Sequence, residues 1–195
     1  MVASVRGANF RGVTIGQVIA PIPSFTMRTG ANCIYYSNYE GYWSLNGSFS
    51  DTFDSGQVPP SATLDSSLIV NFTSIGTVIG NTVTDGDAPG ASSWEFTIGD
   101  LPGMAVIGYF PNGSTFNPAL AFGGSTSTVS VYTSDGEYRY GVNLPGPAAS
   151  WTTGDIIGIV YEGYGGNVGF FKNGIYQAAI SRDNNLGRVI VGIVN

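Results

Sequence analysis

Trp151-Thr-Thr-Gly-Asp-Ile-Ile-Gly158, followed closely by Asn167-Val-Gly-Phe-Phe-Lys-Asn-Gly174, is the stretch on which the fold turns. Within it, Ile156-Ile-Gly-Ile-Val160 is continuously apolar. That pattern fits a central strand covered on both faces, whereas a strand with one wet face would alternate. Further on, Lys172-Asn173-Gly174 separates Val168-Gly-Phe-Phe171 from Ile175-Tyr176. Asn-Gly tolerates positive φ at both turn positions and so favours a type I′ turn, whose twist matches the strands it joins. A central strand leading to a tight hairpin is therefore expected here.

Working outward, the same grammar recurs. Asp135-Gly136 stands between Val131-Tyr132 and Tyr138-Arg-Tyr140 and predicts a second hairpin with the same turn. In Trp94-Glu-Phe-Thr-Ile98 the bulky residues alternate with Glu95 and Thr97, as in a half-buried strand. Val13-Thr-Ile15 through Ile19, Ser67-Leu-Ile-Val70 and Val129-Ser-Val-Tyr132 are further strand-like runs. Gly, Pro or β-branched residues interrupt nearly every window, and no amphipathic helix emerges. Many short strands at close spacing predict an all-β, antiparallel sandwich or barrel. Gly56-Gln-Val-Pro-Pro60 and Thr84-Asp-Gly-Asp-Ala-Pro-Gly90 read as loops, and Pro21-Ile-Pro23 as a break in the first strand region.

Composition agrees with a well-filled core. Of 195 residues 43% are apolar and 13% aromatic, so a single domain can bury roughly 70% of its unfolded surface without staples. Only 10% are charged, against about 25% in ordinary soluble domains. Such an uncharged, Gly/Ser/Thr/Asn-rich surface suits permanent assembly better than charge-steered encounters. The net charge of −6, with Lys172 the single lysine, leaves no basic stripe for nucleic acid. No apolar run approaches the ~18 residues of a membrane span. The N-terminus, Met1-Val-Ala-Ser-Val-Arg6, lacks the basic start and apolar run of a signal peptide.

From about residue 91 onward the order of motifs resembles that of a SPRY domain. Trp94–Ile98 is similar to the family's early aromatic-led strand, and Val106-Ile-Gly-Tyr109 to the apolar-Gly strand after it. Val129–Gly136 with Tyr138 is similar to its Tyr/Asp-Gly hairpin, and Arg188-Val-Ile-Val-Gly-Ile193 to its closing strand. The most specific likeness is Gly154-Asp155, the apolar strand, then the aromatic hairpin at Lys172-Asn173-Gly174. The chain departs from the pattern at Glu162-Gly-Tyr-Gly-Gly166, where the family has an Asp-containing turn. The resemblance implies a concanavalin-like jelly-roll sandwich over residues 61–195 whose surface loops bind a partner. Residues 1–60 have no counterpart in it and read as a β-rich segment or docking arm.

Chemistry is sparse. The chain has no histidine, which removes the commonest general base and the commonest metal ligand. A Ser-His-Asp triad is therefore impossible. Glu40, Glu95, Glu137 and Glu162 form no paired-acid strand pattern of the kind a glycosidase needs. Asp85-Gly-Asp87 has oxygen ligands for a hard cation, but two acids in a Gly/Pro-rich loop are more simply turn formers. Cys33, the only cysteine, reads as a small buried hydrophobe. No catalytic residue, metal or cofactor is expected. Trp94 and Trp151 read as structural. The binding candidates are Tyr35, Tyr36, Tyr39, Tyr42 and Trp43, crowded outside the SPRY-like region. Alternate members could face a core. Tyr36 and Tyr39 have opposite parity, however, so one regular strand cannot bury both, and an interface patch is the functional reading.

These features lead us to expect a non-enzymatic structural or binding protein of a bacteriophage particle. A capsid decoration, tail or fibre component would assemble with other virion proteins as an oligomer, or meet a host-surface protein or glycan. The other readings are a lectin-like carbohydrate-binding module and a cellular SPRY adaptor.

Overall fold

In the computed structural model, the described residues are the strand segments 24–28, 34–37 and 41–44, then 51–83, 91–101, 103–112, 114–124, 129–141, 143–162, 167–181 and 187–194. Their strands form two sheets packed face to face, as a jelly-roll sandwich requires. In spatial order the larger sheet runs β3 (Gly41–Ser44), β2 (Ile34–Ser37), β14 (Ile175–Ser181), β13 (Asn167–Lys172), β12 (Ile156–Glu162), β7 (Ala91–Ile98), β1 (Ser24–Arg28), β5 (Ile69–Phe72) and β4 (Ala62–Asp65). The smaller runs β11 (Asn143–Pro147), β10 (Glu137–Tyr140), β9 (Ser130–Thr133), β8 (Ala105–Pro111), β15 (Gly187–Ile193) and β6 (Gly76–Ile79). Pairing is antiparallel throughout, except where β2 runs parallel to β14.

The sequence patterns map directly onto this frame. β12 lies in the middle of the larger sheet, and Ile157 through Tyr161 are all buried, as the continuous apolar run predicts. Along β7, Trp94, Phe96 and Ile98 are buried while Glu95 and Thr97 are half-exposed. The turn at Asn173-Gly174 has φ of 51° and 78°, both positive, as a type I′ hairpin demands. The second hairpin differs from expectation. At Asp135-Gly136 only Gly136 has positive φ, at 92°, and its N–H donates to the Thr133 carbonyl across three residues. This is a three-residue loop, a tight turn followed by a left-handed glycine, so the glycine is needed but Asp135 stays in an ordinary conformation. The runs at Val13–Ile19 and Pro21–Pro23, together with Cys33, lie outside the described residues.

Between the sheets, Trp94, Phe96, Ile157, Ile159, Tyr161 and Phe170 face Ile107, Tyr109, Tyr132, Val189 and Val191. Tyr109 and Tyr161 stack across the gap, with centroids 4.7 Å apart. A second cluster forms on the outer face of the smaller sheet, where Phe110, Val131 and Ile190 are covered by Phe116 and Phe122 from the β8–β9 connection. That connection also shields the edge of β6, because the Thr77 N–H donates to the Pro118 carbonyl. At the opposite edge β11 carries Pro145 and Pro147, which lack the N–H a further strand would need.

Strands from both sides of the 60/61 division share the larger sheet. β1 sits between β5 and β7, with Phe25 buried against Phe72 and Trp151. Just before the division, Asp51 is 2% exposed. Its carboxylate accepts the backbone N–H of Thr52 and Thr82, the Thr82 hydroxyl and the Trp94 indole N–H, at 2.7–3.0 Å. Donors from three segments therefore converge on one side chain, and removing it strands them in an apolar setting. Asp51→Ala is expected to cost about 3 kcal/mol, lowering the melting midpoint by about 6–12 °C. Thr82→Val should cost only about 1 kcal/mol. Equal small losses in both, measured by denaturant and thermal unfolding, would show that the carboxylate is not the hub.

Candidate functional site

The legible stretch of sequence builds one end of the larger sheet. Trp151 packs edge-on against Tyr132 and Phe25, with centroids 6.0 and 6.5 Å away, and anchors the loop that leads into β12. The Tyr132 hydroxyl donates to the Ala149 carbonyl in the same loop. Burial first, and the nearby Asp155 charge second, push this phenol well above its ordinary range, so it remains a donor at any physiological pH.

Asp155 then links the loop to the hairpin. Its carboxylate accepts the Thr152 N–H at 2.9 Å and the Asn173 side-chain amide at 2.8 Å, with the Lys172 ammonium 3.1 Å away. Asn173 completes the bridge, its side-chain oxygen accepting the Ile156 N–H at 2.8 Å. The ammonium of Lys172 also donates to the Ser150 carbonyl. Partial burial pushes the Asp155 carboxyl upward, but these hydrogen bonds and the lysine outweigh it and hold the group below its usual value. The hairpin tip is thus held rigidly at its base.

Directly beyond the tip stands Ile175, 68% exposed and more so than any other large apolar side chain among the described residues. In register it meets Tyr36 of β2, the parallel neighbour of β14. β2 in turn pairs with β3, placing Tyr35 opposite Trp43 and Tyr36 opposite Tyr42. Four of the five aromatic candidates, Tyr35, Tyr36, Tyr42 and Trp43, are thereby brought to the outer edge of the larger sheet. Tyr39 lies outside the described residues. Ile175 had no signal in the sequence beyond its place after Asn-Gly, where an apolar residue at the start of a strand ordinarily faces a core.

Glu95, Glu137 and Glu162 lie on β7, β10 and β12, and Glu137 is engaged by Arg139. Glu40, Asp85 and Asp87 are outside the described residues. Among the described residues no group of three metal-ligating side chains comes together, and no helix is long and apolar enough to cross a membrane.

Known structures share this architecture. The chain is similar to the crystal structure of the SPRY domain of human HERC1, with a TM-score of 0.55 and 19% identity over 73% of this chain and 91% of that one. It is also similar to the crystal structure of a human SPRY domain, with a TM-score of 0.50 and 16% identity over 69% and 91% of the two chains. The fold is therefore a SPRY-like, concanavalin-type jelly roll. No protein-family model matches the chain, and comparison with curated proteins finds no match.

The Asp155 bridge makes a pH-dependent prediction. Its carboxyl titrates lower in the folded state than in the unfolded chain, so the stabilisation is complete above the unfolded value, about pH 4, and is lost as pH falls through the folded value. Asp155→Asn should reduce stability by about 1 kcal/mol at pH 7, while its unfolding midpoint converges with that of the wild type toward pH 2. Parallel pH profiles for the two proteins would overturn this assignment.

Proposed function

We propose that the chain is a non-enzymatic protein-interaction module whose contact surface is the β3–β2–β14 edge. The observation that carries this reading is Ile175, a large apolar side chain held in water on a hairpin tip that Asp155 and Asn173 keep rigid. Interface hot spots are apolar or aromatic anchors presented by ordered backbone, because a pre-organised anchor loses little entropy on binding. The neighbouring ribbon with Tyr35, Tyr36, Tyr42 and Trp43 adds the residue types most enriched at such contacts. The SPRY-like fold supports a role in protein contact, since such sandwiches present loops and edges from a stable core.

The module is proposed to work in a bacteriophage particle, as a capsid decoration, tail or fibre component. The support for this is compositional: one lysine in 195 residues, 10% charged residues and a Gly-rich all-β chain suit a permanent, tightly packed assembly. Truncation at residue 60 would remove β1 from between β7 and β5 of the larger sheet, so a point substitution is the better probe. Native protein should sediment with the particle fraction of an infected culture. In reconstitution with particles lacking the chain, Ile175→Asp should reduce incorporation at least about tenfold without changing the melting midpoint. Sedimentation as a free protein would remove the particle role, and full incorporation of the variant would remove this edge as the contact surface.

A further inference from the structure

A cleft of about 200 Å³ opens on the outer face of the smaller sheet, on the far side of the sandwich from the β3–β2–β14 edge. Its walls come from Gln57 of the 3₁₀ turn Ser55–Gln57, Phe110 and Pro111 at the end of β8, Asn112, Ser114 and Phe116 after it, and Arg188 of β15. Phe110 and Phe116 line its apolar side, in edge-to-face contact with centroids 5.3 Å apart. Phe116 is pinned from behind. A Cβ at Gly123, where φ is +66°, would stand 2.6 Å from the Phe116 ring, so the glycine backbone lies flat against it.

The opposite wall is polar and organised by Asp54. One of its carboxylate oxygens accepts the Gly56 N–H at 2.9 Å, and the other accepts the Gln57 amide at 3.0 Å and an Arg188 N–H at 3.2 Å. This arrangement leaves capacity directed elsewhere. The Gln57 side-chain oxygen, the whole Asn112 amide and the remaining Arg188 N–H groups have no partner among the described residues. An arginine left uncompensated would favour an anion, but here Asp54 offsets its charge and its other N–H groups remain as donors at the cleft. The cleft thus offers one aromatic side and a rim of neutral donors and acceptors. It is smaller than the ~300 Å³ typical of the smallest drug-sized pockets, so it suits a single ring.

We propose that this cleft is a binding site for a neutral pyranose, the terminal sugar of a glycan. A pyranose has an apolar C–H face that fits against Phe116, and equatorial hydroxyls that each donate and accept. Those hydroxyls match the mixed amide and guanidinium rim formed by Gln57, Asn112 and Arg188. The site is independent of the protein-contact edge, being built on the other sheet.

Saturation-transfer NMR on the full chain tests it, with glucose, galactose, mannose, N-acetylglucosamine and N-acetylgalactosamine as neutral probes and glucuronate as the anionic one. At least one neutral sugar should receive saturation on its ring protons, and glucuronate should not compete for it. Asn112→Ala should weaken that signal at least fivefold; the Asn112 side chain is exposed and has no partner among the described residues, so the fold is not at issue. Ile175→Asp should leave it unchanged, which separates failure of this site from failure of the contact edge. Silence from all five neutral sugars, preferential binding of glucuronate, or an Asn112→Ala protein that binds like the wild type would each overturn the proposal.

Discussion

The bridge from Asp155 to Asn173 is the constraint on which the exposed end of the molecule depends. The Asp155 carbonyl accepts the Ile98 N–H of β7, its backbone leads into β12, and its carboxylate holds the turn that joins β13 to β14. Four strands of the larger sheet are thereby fixed at one point, and β2 pairs onto the outermost of them. A type I′ turn needs positive φ at two successive residues, which Gly174 adopts freely and Asn173 adopts at some steric cost. The two hydrogen bonds of the Asn173 side chain offset that cost. Their donor and acceptor roles also suit asparagine: the amide N–H₂ donates to Asp155, while the amide oxygen accepts from Ile156.

A second convergence, at Asp51, ties the described residues just before residue 60 to the sandwich. Asp51 binds Thr82 and Trp94, which lie 31 and 43 residues away, and brings Phe53 into contact with Phe96 in the core. Burying a carboxylate is costly unless its lone pairs are met, and here four N–H and O–H donors meet them. Together with β1, which lies between β5 and β7, this makes Phe25, Asp51 and Phe53 part of the core that the later residues need.

The two faces of the smaller sheet show how one set of strands serves two environments. One face packs into the sandwich. The other would be left apolar, and the β8–β9 connection folds back over it with Phe116 and Phe122. Three successive positive φ values at Phe122, Gly123 and Gly124 allow that return. The incomplete cover leaves the cleft beside Arg188 and Gln57. A loop recruited to hide apolar surface thus also shapes a concave polar site.

Much of this was legible in sequence because it is local. Period-two alternation placed Trp94, Phe96 and Ile98 inward, an unbroken apolar run marked β12 as central, and Asn-Gly specified its hairpin. Each follows from the geometry of a few consecutive residues. Asp135-Gly136 marks the limit, since the dipeptide signals a turn but loop length decides its type, and three residues rather than two separate β9 from β10. The tertiary structure alone decided that β1 enters the larger sheet between β5 and β7, that Asp51 reaches Trp94, that Tyr36 pairs in register with Ile175, and that Arg188 meets Asp54 134 residues earlier in the chain. These contacts link residues whose spacing carries no periodic signal. They exist because two sheets closing on one core bring distant edges together, and a linear pattern records what a strand buries but not which strand lies next to it.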